Sequence, residues 1–505
     1  MRNDAYMFYI GVFLIFFIYH ILHNMEQETL KQRTANSLFW SALNNGAMQV
    51  LNLVAGIFLA RILSTSDYGL VGILTIFSAI ATALQESGFT SALTNLEKPT
   101  ANDYNSVFWF SLFVSIGCYV VLFFAAPFIA SFFHHNELVW LSRFVFISFL
   151  FSAIGTAPLA YMFKNMLVKE VTILRTTALI IASVFSITLA LLDFSYWSLA
   201  WQQMLYISIV SIGRFFFIPW RPSLRIDFTP VRRMFSFSYR ILLTSIVNTV
   251  SQNVLTFIFA RLYPISLVGN FTQAFKWNNL SSSLVSGTIS QVAQPVLVEL
   301  NKEQNRQIKA FHKMLKFTAF LSFPAMFGLA MISKEFIIVL ISNKWADCIP
   351  MLRILCIGGA FLPFYTLYQN LAISLGRSNL YLLCTSGLIV LQLILTLLCY
   401  NQGILFIVVV YSVITILWLL VWQYFIHREM NICLFDVLFD ICPYMLVSAI
   451  VMIIAYFSTI FISNLYLLLV GRILIATILY LVLMKVLGSK ILAECISFFR
   501  NRIKK

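Results

Sequence analysis

The sequence predicts an all-α polytopic membrane protein. It should hold about 14 transmembrane helices, as two parallel six-helix lobes around a central cleft plus two C-terminal helices. Three observations carry this. Of 505 residues, 60% are hydrophobic and only 10% charged, with a mean hydropathy of +0.88; a soluble protein carries roughly 25% charged residues. Apolar runs of ~20 residues recur along the chain, the length a helix needs to cross ~30 Å of hydrocarbon. A block near residue 60 also returns near residue 260. Lipid offers no hydrogen bonds to a backbone, so the spanning elements are helices, and the alternation of a membrane β-barrel is absent.

Taken in order, residues 6–22 form an apolar segment that fits awkwardly, because Met25-Glu-Gln-Glu-Thr-Leu-Lys-Gln-Arg-Thr34 leads into the helix at Ser37 as a fresh N-terminus would. Either 1–24 is a signal-like or extra helix, or translation starts at Met25. The spans that follow are 37–63, 66–95, 104–132, 137–165, 167–192, 196–218, 233–263, 266–298, 309–333, 345–375, 378–400, 403–426, 437–460 and 463–487. Pro158, Pro295, Pro324 and Pro363 lie within spans and are candidate bends.

The connections alternate in charge. One set holds Lys31, Lys98, Lys164, the Arg214-to-Arg233 cluster, Lys302 to Lys316, Arg377, Arg428 and the tail from Arg500 to Lys505. The other holds Arg61, Arg261, Lys334 and Lys344 and is otherwise nearly bare. Lys and Arg collect in cytoplasmic loops, which puts the basic set and both ends of the 25–505 core in the cytoplasm. The net charge of +15 is then explained by topology, without nucleic acid. Arg61 and Arg261, on the bare side, are expected to anchor at headgroups. The Pro- and Arg-rich stretch 219–232 links the lobes, 25–218 and 233–426, and 427–505 supplies the two additional helices and a basic tail. An even number of spans in the first lobe makes the repeats parallel. The basic loop from Glu299 to Lys316 is a solvated face or, through charge, a contact with membrane lipids.

The repeat itself pairs Phe58-Leu-Ala-Arg-Ile-Leu-Ser-Thr-Ser-Asp-Tyr-Gly69 with Ile258-Phe-Ala-Arg-Leu-Tyr-Pro-Ile-Ser-Leu-Val-Gly269, at an offset of 200 residues. In each copy an apolar run leaves through Ala-Arg, turns, and begins a second run at Gly.

Polar side chains inside lipid-spanning helices are costly, so their positions are informative. Ser41, Asn45, Gln49 and Asn52 share a face of the first span, and Ser245, Asn248 or Thr249, Gln252 and Thr256 a face of the seventh. The eighth span adds Gln273, Lys276, Asn279 and Ser283; the second adds Ser78, Thr82, Gln85, Glu86 and Thr90. One such stripe serves packing as readily as solvent; four in symmetric places point to a water-filled cleft. The candidate substrate-binding residues are Asn45, Gln49, Asn52, Glu86, Gln252, Gln273, Lys276 and Asn279. Amides suit sugar hydroxyls. Lys276, roughly 15 Å inside its helix, suits a lipid-linked phosphate or pyrophosphate. Glu86 either pairs with it, as a structural ion pair, or takes a coupling proton.

The eight cysteines form no CxxC pair and the six histidines no ligand pattern, so neither a metal nor a cofactor is expected. P-loop and GxSxG motifs are missing and the outer loops are short, so an enzyme is not expected either.

Four stretches carry a family resemblance: Lys31-Gln-Arg-Thr-Ala-Asn-Ser-Leu-Phe-Trp40, the run from Phe58 to Gly69, Asn343-Lys-Trp-Ala-Asp-Cys-Ile-Pro-Met-Leu-Arg353, and Ala372-Ile-Ser-Leu-Gly-Arg-Ser-Asn379. Through them the chain resembles polysaccharide flippases of the Wzx type, which carry O-antigen or capsule repeat units, in the multidrug/oligosaccharidyl-lipid/polysaccharide exporter superfamily. Residues 1–24 depart from the pattern. The resemblance implies a cleft lined by the first, second, seventh and eighth helices. It also implies translocation of an undecaprenyl-pyrophosphate-linked oligosaccharide across the bacterial inner (plasma) membrane by alternating access, for surface polysaccharide biosynthesis. Coupling to H+ or Na+ and a partnership with polysaccharide polymerase machinery belong to the same implication. Two other readings remain: a multidrug cation antiporter of the same fold, which needs acidic residues missing from the first and seventh spans, and a membrane polymerase or transferase, which needs a sizeable outer loop.

Overall fold

The structure, a computed structural model, describes residues 30–86 and 88–503; in several stretches, among them 30–45 and 84–86, only the backbone is described. The segment 1–24 lies outside the described residues. The first half of the chain runs α1 (Leu30–Ile62), α2 (Thr65–Glu86), α3 (Gly88–Asn95), α4 (Ala101–Phe133), α5 (Leu138–Phe146), α6 (Ser148–Ile154), α7 (Thr156–Lys164), α8 (Val168–Leu191) and α9 (Trp197–Gly213). The second runs α10 (Thr229–Leu262), α11 (Ile265–Glu299), α12 (Gln304–Phe336), α13 (Cys348–Gly359), α14 (Leu362–Ser374), α15 (Ser378–Leu398) and α16 (Ile404–Met430). Three more helices follow: α17 (Leu434–Ser458), α18 (Leu465–Val486) and α19 (Lys490–Ile503).

Local sequence sets the boundaries. Ser64 and Asp67 bond reciprocally, the Ser64 N–H donating to the carboxylate at 2.8 Å and the Asp67 N–H to the hydroxyl at 3.2 Å; this capping box starts α2. Thr100 and Asp103 start α4 in the same way. In the second copy of the repeat Pro264 stands where Ser64 stood. It holds Tyr263 extended, at φ −128° and ψ 158°, and so stops α10. Helices α5–α7 are one segment bent by 41° at Gly155, where Pro158 has no N–H to give the Ile154 carbonyl.

By length and apolarity, nine described helices can cross a membrane, or ten if that bent pair is one span. The other expected spans fall on α1, α9, α10 and α11. In α1 side chains are described only from Gly46, and Gly46–Ile62 is apolar but short; α9 has 17 residues, and α10 and α11 carry the polar stripes. Three of these four helices, α1, α9 and α11, line the cavity described below.

The two copies of the repeat meet each other. Helices α2 and α11 cross where a Cβ on Gly269 would stand 1.8 Å from the Thr65 carbonyl oxygen, and one on Gly69 would stand 2.2 Å from that of Ile265. Thr65 and Ile265 are themselves equivalent positions, so the contact is reciprocal, backbone against backbone. At this end Arg61 donates to the carbonyls of Val339 (2.5 Å) and Leu340 (2.6 Å). Lys344 returns a bond to the Arg61 carbonyl at 2.8 Å, and the Trp345 indole donates to that of Ala60 at 2.8 Å. Arg61 is therefore a tie between the halves and not the headgroup anchor expected of it; its five donors find fixed carbonyls within reach. At the far end, a Cβ on Gly46 or Gly287 would meet nothing within 4 Å.

The C-terminal helices dock on α12 through buried charge. Arg472 of α18 pairs with Glu335 at 2.9 Å, the two side chains being 5% and 4% exposed. Asp440 of α17 receives His312 and, at 3.0 Å, Lys316. The stretch between the halves is tied to α4: Arg233 meets Asp103 at 3.0 Å, and the Asn102 amide donates to Asp227 at 2.9 Å. That bond and the Thr229 N–H hold the Asp227 carboxyl below its ordinary pKa.

Candidate functional site

A polar cavity of about 450 Å³ lies among α1, α2, α8, α9 and α11. Its position follows from the glycine crossing. Gly269, Thr272 and Lys276 are spaced three and four apart, so they share one face of α11, and packing Gly269 against α2 aims the other two into the first half. Glycines receive them there. A Cβ on Gly72 would stand 2.8 Å from Thr272 Oγ1, and one on Gly56 would stand 2.9 Å from Lys276 Nζ. Asn52 joins from α1, Tyr68 and Thr75 from α2, and Gln202, Gln203 and Tyr206 from α9.

Lys276 is the one charged side chain among the lining residues. Its ammonium lies 5.9 Å from the ring centroids of both Tyr68 and Trp277, the outer limit of a cation–π contact. No described carboxylate pairs with it. The Glu86 side chain lies outside the described residues, but its backbone position settles the expected pairing. Glu86 ends α2, 18 residues from Tyr68 and therefore about 27 Å along the axis. A Lys276–Glu86 pair is corrected on that distance.

The remaining candidates separate. Asn52 and Lys276 line the cavity. Gln49 does not; its amide donates to Ser283 Oγ at 3.0 Å and bridges α1 to α11. Gln273 is fully buried beside Tyr68, with no bond of good geometry. Gln252 is exposed and Asn279 half-buried, both away from the lining. The Asn45 side chain lies outside the described residues. Sequence reasoning missed Thr272, the glycines that admit it, and the α9 residues. The signal available for α9 was Trp201-Gln-Gln-Met204, two adjacent amides within an apolar run, a costly placement in lipid.

Two apolar grooves flank the cavity's helices. One, about 640 Å³, runs among α12, α17 and α18 past Pro324, Gly328, Met452 and Ile473. The other, about 610 Å³, lies between α11, α12 and α19, with the Lys313–Glu494 pair (2.7 Å) at its rim.

Amides, phenols and a single amine equip this site to hold a hydroxylated or anionic molecule. The protein is a helical membrane bundle that holds this cavity. Its fold is that of solved carriers. The lipid II flippase MurJ in an inward closed conformation matches at TM-score 0.74 with 16% identity, over 92% of this chain and 100% of that one. An inward-facing multidrug resistance MATE family transporter of the MOP superfamily matches at 0.59 with 16% identity, over 82% and 96%. The family model described as polysaccharide biosynthesis protein matches residues 58–350, more than half of the chain, and the chain belongs to that family. Relatives include the lipopolysaccharide biosynthesis protein WzxC of Escherichia coli, 22% identical over 66% of this chain and 68% of its own. The teichuronic acid biosynthesis protein TuaB of Bacillus subtilis is 24% identical over 70% and 73%. The protein is thus a multi-pass polysaccharide-biosynthesis transporter of the Wzx-like flippases, not an enzyme.

Proposed function

We propose that this transporter carries an undecaprenyl-pyrophosphate-linked oligosaccharide repeat unit from the inner to the outer leaflet of the bacterial plasma membrane by alternating access. The observation that carries this reading is the cavity in which one unpaired ammonium, Lys276, stands among neutral amides and phenols. An anion joined to a hydroxyl-rich group matches that set. The polyprenyl chain stays outside, against apolar surface such as the grooves beside α12. The same acid-free lining disfavours a cation as cargo, since Lys276 would repel it.

In this reading about 14 spans form two lobes, 25–218 and 233–426, which rock about the α2–α11 crossing, joined by 219–232; residues 427–505 add two helices and the tail. The basic loops and both ends of the core lie in the cytoplasm. The Arg61 end, sealed by Gly69 and Gly269, then faces outward, and the state described is closed to the outside. A proton or sodium gradient supplies the driving force, and polymerase machinery receives the product.

Cells lacking their own repeat-unit flippase test this. Export of the glycan should return with the wild-type gene and fall with Lys276→Ala and with Asn52→Ala. Wild-type export by both variants would remove the site assignment. Resistance to cationic dyes on expression, with no glycan export, would establish the antiporter instead.

A further inference from the structure

We infer that α9 is the helix that reads the sugar, through Gln202, Gln203 and Tyr206, and that it does so in a pocket sunk inside the first lobe. The inference rests on the function proposed above and adds the residues that select the cargo.

Three observations carry it. The cavity is one-sided: α1, α2, α8 and α9 all belong to the first half, and the second contributes only Thr272 and Lys276. At the corresponding place in the second half α15 and α16 pack closely. Trp418 presses on Gly387, where a Cβ would stand 2.8 Å from its ring, and its indole donates to the Cys384 carbonyl at 2.8 Å. Several polar groups there are spent on one another, Gln392 donating to Thr415 Oγ1 at 3.3 Å and the Tyr365 hydroxyl bonding the Thr415 carbonyl. On α9 they are not. The Gln202 amide donates to Ser183 Oγ at 3.1 Å, which leaves its oxygen, and Gln203 has no partner among the described residues.

The spacing fits the task. Positions 202, 203 and 206 are neighbours on one helical face, so each glutamine can offer an acceptor and a donor to adjacent hydroxyls while Tyr206 adds a ring and a hydroxyl. A sugar ring presents this mixture of vicinal hydroxyls and apolar C–H faces. Two adjacent amides in a membrane helix are expensive, and here only the Gln202 amide has a partner among the described residues, Ser183. Lys276 closes the pocket from the other lobe, so an acidic group joined to the bound sugar meets it. That group is either a carboxylate on the sugar or the phosphate of the carrier, and the two are separable by experiment.

The test uses full-length protein in lipid nanodiscs and two probes. One is the oligosaccharide released by mild acid from the lipid-linked intermediate that accumulates in cells lacking this transporter. The other is undecaprenyl pyrophosphate without sugar. Gln203→Met keeps the side-chain length and Tyr206→Phe the ring, so both variants should stay folded; a thermal midpoint equal to wild type confirms it. Each should weaken binding of the free oligosaccharide by roughly tenfold, as expected for one lost hydrogen bond, and leave the sugar-free carrier unaffected. Lys276→Gln should weaken the carrier alone if the acid is the phosphate, and the oligosaccharide if it is a sugar carboxylate. Oligosaccharide affinity unchanged in both α9 variants, with wild-type export intact, overturns this inference and spares the proposed function. A wild-type protein that binds neither probe and restores no export overturns both.

Discussion

Replacing Gly269 by alanine tests how the outward end is sealed. The new methyl carbon would stand 1.8 Å from the Thr65 carbonyl oxygen, whereas an ordinary C···O contact is about 3.3 Å. The obstacle is backbone, so no rotamer relieves it, and α2 and α11 must part by roughly 1.5 Å. Overpacking of this kind costs about 1–3 kcal/mol. The penalty applies only while the two helices are crossed, so the closed state should lose population by roughly five- to 150-fold. The assay is labelling of Asn52→Cys by a membrane-impermeant maleimide from the Arg61 side, with the exposed Cys433 changed to Ser. Gly269→Ala should raise the labelling rate severalfold, and Gly69→Ala should do the same through the Ile265 carbonyl. Gly287→Ala, where a Cβ meets nothing within 4 Å, should not. Labelling in Gly269→Ala equal to that in Gly287→Ala would refute the sealing role of the crossing.

Other consequences follow from the same contacts. Lys276→Met should abolish glycan export without lowering the thermal midpoint, because no described ion pair is lost; a matching fall in both would make Lys276 structural. Glu335→Ala strands Arg472 in a site where both are nearly inaccessible, so detergent-solubilised protein should lose about 3–5 kcal/mol, while the joint replacement Glu335→Gln with Arg472→Met should recover most of it. Asp227 has a depressed carboxyl pKa, chiefly through the Asn102 amide. Its tie to α4 is therefore complete above the ordinary aspartate value and is lost as pH falls through the lower folded value. Limited proteolysis between Arg221 and Arg232 should be flat from neutral to mildly acidic pH, and Asp227→Ala should speed it at neutral pH.

Much of this fold is legible in the sequence because its determinants are local or repeated. The Arg and Gly of the duplicated turn marked the helix crossing, and the geometry put the two glycines against each other's strand of carbonyls. Apolar length marked nine or ten spans plainly among the described residues, and it marked α9, α10 and α11 less clearly because α9 is short and the other two carry polar stripes. The site was read at lower definition. A polar stripe fixes a helix face only to within about a third of a turn, so Gln49 and Gln273 were chosen together with Asn52 and Lys276, of which only the last two line the cavity, and Thr272 was missed. Glu86 and Lys276 looked like a pair because both are buried charges, but a sequence stripe has no depth coordinate relating two helices, and these lie at opposite ends of α2. The α9 amides escaped because no second copy drew attention to them.

The central claim is that the cavity holding Lys276 is the route of a lipid-linked glycan between leaflets. Its most direct test is a leaflet-accessibility measurement in proteoliposomes made with the purified transporter, an imposed proton or sodium gradient, and fluorescently tagged undecaprenyl-pyrophosphate-linked oligosaccharide. The account predicts that the tag crosses with wild-type protein and that Lys276→Met returns the rate to that of protein-free vesicles. A rate in Lys276→Met vesicles equal to wild type, or a wild-type rate no faster than empty vesicles, would contradict it.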